Sequence, residues 1–157
     1  MCELRIKGMS DGTRRTAPLV LEEFFSGPVR VEGFFGNVWS RSRLGIVIEI
    51  VPTWDGKQLT LDERFVYSDD TIDRKTWRLE KTGPGTYSGS REDMIGTAHV
   101  WTEGHLVRLT YVLVMVGIGF SFDETMSLGE DGILLGRSTV KKWGIPIGRV
   151  ELTMRRL

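Results

Sequence analysis

From Val29 to the C-terminus, short segments in which apolar and polar residues alternate are each cut off by a tight turn. No other feature constrains the fold as strongly. Leu59-Thr60-Leu61-Asp62-Glu63-Arg64-Phe65-Val66-Tyr67 is the clearest case. Period two places Leu59, Leu61, Glu63, Phe65 and Tyr67 on one face and Thr60, Asp62, Arg64 and Val66 on the other, the pattern of a half-buried strand. Leu44, Ile46, Ile48 and Ile50 form one face of another strand, ended by Pro52. Trp77 and Leu79 share a face between Arg74 and Lys81, and Phe120, Phe122, Glu124, Met126 and Leu128 share one further on. Turn signals separate these runs: Asp55-Gly56, Ser68-Asp69-Asp70-Thr71, Gly83-Pro84-Gly85, Glu103-Gly104 and Gly129-Glu130-Asp131-Gly132. Parallel strands need crossovers of about a dozen residues or more, and no second helical segment of that length occurs. The strands therefore form an antiparallel meander, and closing it removes its edges. The expected fold is all-β: an up-and-down antiparallel barrel of about ten strands. Gly33 and Gly36 mark where its first strand can bulge or bend. One short helix precedes the strands. Pro18 opens it, Ser26-Gly27-Pro28 ends it, and Leu19–Phe25 closes one end of the barrel with Leu21, Phe24 and Phe25 facing inward.

The 157 residues fit one domain. Residues 18–157 are read as the barrel. Residues 1–17, polar and without core-forming content, are read as a flexible tail. The 21 basic and 21 acidic residues cancel, so nucleic acid, which selects a strong basic excess, is not an expected partner. The single cysteine, Cys2, leaves no internal disulfide and no cysteine-based metal site. His99 and His105 have no neighbours at ligand spacing, so no metal and no cofactor are expected. There is no apolar run of membrane-spanning length and no secretory h-region, so the chain as written reads as cytoplasmic.

Several stretches resemble the bacterial family catalogued as domain of unknown function 3833. They are Leu21-Glu22-Glu23-Phe24-Phe25-Ser26-Gly27, the run from Leu59 to Asp69, Arg74 with Trp77, Asp93 with Gly96 and Ala98, Tyr111, Asp123 with Met126, and Lys142-Trp143-Gly144-Ile145. The similarity runs from about Leu19 to the C-terminus. It implies no assigned activity. Many members look like lipoproteins attached through an N-terminal cysteine, which makes a lipid anchor at Cys2 in the cell envelope the alternative location. Relatives tend to be encoded near enzymes that modify membrane fatty acids, which implies a lipid context. The chain departs from the family pattern at Asp70, where glycine is usual, at Thr125, where tryptophan is common, and at Gly136, where asparagine is expected.

The face assignments leave three charges among apolar neighbours: Glu63, Glu124, and Arg137 between Leu135 and Thr139. Buried charges are costly unless paired. Glu63 is expected to point into the barrel and pair with an arginine, Arg137 first, so that removing one partner costs about 3–5 kcal/mol. A small barrel can hold one ligand in its interior. Phe65, Tyr67, Trp77, Tyr111 and Phe122, with Glu63, Glu124 and Arg137, are the candidate ligand-binding residues. The alternative is an internal salt bridge that only fixes strand register. The expectation is thus a lipocalin-like (calycin) barrel that binds a small apolar or amphipathic, lipid-like ligand. Two rivals remain open. One is an isomerase or cyclase using Glu63 as acid or base with Tyr67 or Tyr111 nearby. The other is an interaction module with a filled barrel. Finally, the second half of Leu106–Val116 is apolar on both faces, Tyr111, Leu113 and Met115 against Val112, Val114 and Val116. Its outer face needs cover from the N-terminal helix, from a second copy in a homodimer, or from a membrane surface in peripheral association. A homodimer is favoured, because symmetric dimers are the commonest closed oligomers.

Overall fold

The computed structural model describes residues 18–157. The tail expected at residues 1–17, Cys2 included, lies outside the described residues. After a single helical turn, α1 (Leu21–Phe24), ten strands follow in sequence. They are β1 (Val29–Asn37), β2 (Arg43–Trp54), β3 (Gln58–Tyr67), β4 (Ile72–Gly83), β5 (Thr86–Ser90), β6 (Met94–Glu103), β7 (Leu106–Met115), β8 (Ile118–Leu128), β9 (Leu134–Lys142) and β10 (Ile145–Arg156). Each strand pairs antiparallel with its neighbour in sequence. β1 pairs with β10, Val29 opposite Arg156, and closes the barrel. The architecture is the up-and-down, lipocalin-like barrel that the alternation predicts. The pleat decides what lies inside: on β2, Ile46, Ile48 and Ile50 are buried while Glu49 and Val51 are exposed. Gly33 makes no bulge. The β1–β10 ladder runs through it unbroken, and a Cβ there would stand 1.9 Å from the carbonyl oxygen of Glu151. Glycine is needed for close strand approach at this position.

The two ends of the barrel differ. At one end lie the turns joining β2 to β3, β4 to β5, β6 to β7 and β8 to β9, together with α1. The helix is shorter than the Leu19–Phe25 expected from sequence, and Val20 offers no side-chain cap. Tertiary packing holds this turn in place, since helices so short have no stability of their own. Leu21, Phe24 and Phe25 are buried as expected. Glu22 accepts hydrogen bonds from Lys81 Nζ and the Tyr87 hydroxyl, tying α1 to β4 and β5. Burial pushes the Glu22 carboxyl up, but those two bonds outweigh it and its pKa falls below the ordinary value. At the other end are the loop 38–42, the loop 68–71, the link 91–93 and the two-residue turns 116–117 and 143–144. No helix covers this end among the described residues, so α1 does not shield the outer face of β7. Val112 and Val114 are only half-buried there, and Val116 is 99% exposed.

Candidate functional site

The inward faces enclose a cavity of about 540 Å³, within the range of small-molecule sites, roughly 300–1,000 Å³. Leu21 and Phe25 of the helical turn floor it, and Met115, 38% exposed, lines it at the opposite end, so it opens at the loop-bearing mouth. A barrel filled by its own side chains would have no such space. Most of the wall is aliphatic or aromatic. Tyr111 stacks on Phe122 with ring centroids 5.0 Å apart and meets Trp77 edge-on at 5.1 Å, while Phe65 stacks on Tyr67 at 6.1 Å.

One patch of this wall is polar. It is built from β3, β7, β8, β9 and the link between β5 and β6. Glu63 projects inward from the middle of β3, its side chain 9% exposed. Its nearest cation is Arg91, Nη1 to Oε2 3.9 Å. The Arg91 guanidinium is held from its other side by Asp93, Nε to Oδ1 2.7 Å and Nη2 to Oδ2 2.7 Å, the bidentate fork that fixes a guanidinium most firmly. The link that carries them is pinned on both flanks. Glu92 accepts from the Thr76 backbone N–H, and the Asp93 carbonyl accepts from the Val114 N–H at 2.7 Å. Across the cavity wall the Tyr111 hydroxyl donates to Glu124 Oε2 at 2.8 Å.

Desolvation dominates the electrostatics. Burial pushes the Glu63 pKa up to about 8; Arg91 pulls it down, and the nearby carboxylates Glu124, Asp93 and Glu92 push it further up. Glu124 is also raised by burial, against hydrogen bonds from Tyr111 and Ser138 that lower it. The Tyr111 phenol is driven well above its ordinary range by burial and by Glu124. Burial works against the charge on Arg91, but Asp93 and Glu63 overcome it and keep the guanidinium protonated. Asp93 is raised by its own burial, yet Arg91 holds its pKa below the usual value. At neutral pH the Arg91–Asp93 pair is thus internally neutral, and Glu63 is largely a protonated acid facing the cavity.

Glu63, Phe65, Tyr67, Trp77, Tyr111, Phe122 and Glu124 all line the cavity. Arg137 does not: it is exposed on the outer face of β9, where Leu134, Gly136, Ser138 and Val140 point inward. The sequence offered Leu134 and Leu135 side by side, and glycine and serine at two of the inward positions hid the true face. A slip of one residue then turned the whole strand over. The arginine beside Glu63 is Arg91, in the link between β5 and β6. The available signal was Arg91-Glu92-Asp93: in extended chain, residues two apart point the same way, so guanidinium and carboxylate can pair. Among the described residues no group of three His, Cys, Asp or Glu side chains is arranged to hold a metal ion.

The barrel is similar to that of the S-type phycobiliprotein lyase CPES from Guillardia theta, with a TM-score of 0.61 at 13% identity, covering 88% of this chain and 93% of that one. At that identity the likeness is one of fold. No curated protein matches the chain. Residues 2–156 match the family described as "Protein of unknown function (DUF3833)", and the chain belongs to that family.

Proposed function

We propose that this barrel binds a small amphipathic molecule, its apolar body along the aliphatic wall and its hydroxyl or carboxyl group at Glu63 and Arg91. The observation that carries this is the single polar patch in an otherwise apolar cavity of about 540 Å³. Asp93 occupies Nε and Nη2 of Arg91, which leaves the Nη1 edge turned toward Glu63 and the cavity. A protonated Glu63 and that free edge together offer two donors, which suits an oxygen acceptor. The similar lyase structure supports a small-molecule role at the level of fold. The test is displacement fluorescence with cis-parinaric acid as the probe, beside mass spectrometry of molecules that copurify with the full chain. The probe should bind, and Leu113→Trp, which fills the cavity from β7, should abolish binding while the barrel stays folded. Failure of the parent to take up the probe or to retain any copurifying molecule would refute the proposal.

A second reading has its own support. Its support is a Glu63 whose pKa of about 8 suits general acid–base catalysis near neutral pH, beside Glu124, which burial raises and which accepts a hydrogen bond from Tyr111 at 2.8 Å. Under this reading Glu63→Gln and Glu124→Gln stop conversion of a bound molecule while probe binding persists.

A further inference from the structure

Most large apolar residues that stand exposed gather at the mouth, on three hairpins that are adjacent around the barrel: β1–β2, β9–β10 and β7–β8. Val38 and Trp39 are 50% and 77% exposed in the first, Trp143 and Ile145 84% and 53% in the second, and Val116 and Ile118 99% and 39% in the third. Two of these tips are apolar against local preference. Val116 and Trp143 have φ of 52° and 51°, each followed by a glycine at positive φ. That is the backbone of a type I′ hairpin turn, whose first position favours asparagine, aspartate or glycine. A β-branched or bulky residue there is a genuine outlier, and such strain persists mainly at functional positions.

Charge on the rim is segregated in the same way. Segments 37–43, 113–121 and 139–149 contain no Asp or Glu but carry Arg41, Arg43, Lys141, Lys142 and Arg149; of these, Lys141 is paired with Asp123 at 3.3 Å. The opposite half of the rim carries Asp69, Asp70 and Glu92, while Asp93 is neutralised by Arg91 in the same link. Arg41, Arg43 and Arg149, with Ser40 and Ser42, line a cleft of about 470 Å³ beside the β1–β2 loop. None of the three arginines forms a salt bridge with another described residue; Arg43 lies 4.3 Å from the Phe34 ring centroid. Lys142 sits over the Trp143 ring at 4.3 Å.

We infer that this half of the mouth docks on an anionic lipid bilayer, with Trp39, Val116 and Trp143 entering the headgroup region and a lipid phosphate seated in the arginine cleft. Tryptophan favours the membrane interface because one end of it is apolar and the other polar. Basic residues draw anionic headgroups, and guanidinium forks match phosphate oxygens. The barrel docks by its rim and does not span. Its outer wall carries ion pairs such as Arg30–Glu32, Lys57–Glu80 and Arg64–Glu49, where a lipid-facing wall would be apolar. Docking is independent of what the cavity holds, since it needs only the outer surface of the loops.

The test is co-sedimentation of the full chain with vesicles of phosphatidylcholine alone and of phosphatidylcholine mixed with phosphatidylglycerol, together with sedimentation velocity of the protein without lipid. Binding should require the anionic lipid and fall with salt. Each basic side chain near such a surface contributes about fivefold, so Arg41→Gln/Arg43→Gln/Arg149→Gln should weaken binding on the order of a hundredfold. Val116→Asn/Trp143→Asn places the residue the turn prefers, so the barrel should melt no lower than the parent while vesicle binding drops. Equal binding to both vesicle types, no binding to either, or binding unchanged in both variants would overturn the inference. So would a dimer that Val116→Asn/Trp143→Asn converts to monomer, because the rim would then be an interface between copies of the chain.

Discussion

Replacing Glu63 by glutamine should make the barrel less sensitive to alkali. In the folded barrel Glu63 has a pKa of about 8, against an ordinary 4.5. Because the folded pKa is raised, the folded state keeps a proton that the unfolded chain releases. The contribution to stability is complete below the unfolded value and is lost as pH rises through the folded one. At 1.36 kcal/mol per pKa unit the full loss is about 5 kcal/mol, of which about 3 falls between roughly pH 5 and pH 7. That is a large share of a domain's net stability of roughly 5–15 kcal/mol. The amide copies the shape of the protonated acid and cannot titrate. It also leaves Arg91 paired, because Asp93 holds the guanidinium at 2.7 Å through two bonds. This departs from the sequence-based expectation, in which losing one partner of Glu63 strands a buried charge. Glu124 is raised too and adds a slope of the same sign, so the difference between parent and variant isolates Glu63. Urea unfolding followed by tryptophan fluorescence, from about pH 5 to about pH 9, gives both curves. The parent should lose stability steeply while the variant stays flatter and becomes the more stable of the two at the alkaline end. Parallel curves across that range would refute the assignment of Glu63 as a buried acid.

Arg91→Met removes the bidentate partner of Asp93, leaving it only Lys75 at 4.0 Å, and should lower unfolding free energy by about 1–3 kcal/mol, the cost of an unsatisfied partly buried group, measured by the same urea titration near neutral pH. Tyr111→Phe deletes a hydrogen bond that lowers Glu124, so the Glu124 pKa should rise further in a carboxyl NMR titration. Gly136 faces inward with Glu124 Oε1 3.5 Å and Met154 Cε 3.3 Å from where a Cβ would stand. Gly136→Asn should therefore narrow the cavity and weaken cis-parinaric acid binding, read by fluorescence, with a smaller effect on melting. Should the outer strip of β7 join two copies, Val114→Lys would convert dimer to monomer in sedimentation velocity without unfolding the barrel.

The fold was legible because its signal is redundant: most strands repeat the same alternation and most turns carry glycine, so one misread strand does not alter the topology. The inward carboxylates were legible for the same reason. Glu63 lies between Leu61 and Phe65, and Glu124 between Phe122 and Met126, which are strong markers of the buried face. Arg137 was misplaced because β9 marks its inner face with Gly136 and Ser138, which carry little hydrophobic signal. Arg91 was missed because it sits in a link outside the ladder, where period two has no hold. Its position depends on the contacts of Glu92 with Thr76 and of Asp93 with Val114, pairs far apart in the sequence. The apolar tips Val116 and Trp143 also escape pattern reading, since their turns replace the usual asparagine with residues that local rules count against a turn.

The polarity of the cavity and that of the rim share an axis. The polar lining comes from Glu63 and Tyr67 on β3, Arg91, Tyr111 on β7, Glu124 on β8 and Ser138 on β9. β1, β2 and β10 contribute only apolar side chains, from Phe35, Leu44 and Ile147 near the mouth to Ile50, Val31 and Met154 near α1. The rim above β1, β2, β9 and β10 holds Trp39, Trp143 and the arginine cleft, whereas the rim above β3 to β6 is the acidic one. An apolar chain leaving a docked bilayer at the basic edge would therefore meet an unbroken apolar wall from the mouth to the helical floor. Its polar group would lie across the cavity from that wall, level with Glu63 and Glu124 at mid-height on their strands. Entry from the acidic edge would instead bring the apolar chain past Asp69, Asp70 and Glu92 and then over the polar patch, at a desolvation cost on both counts. The two proposals, rim docking and cavity binding, are separable in experiment, and both put the apolar wall of the cavity beneath the basic edge of the mouth.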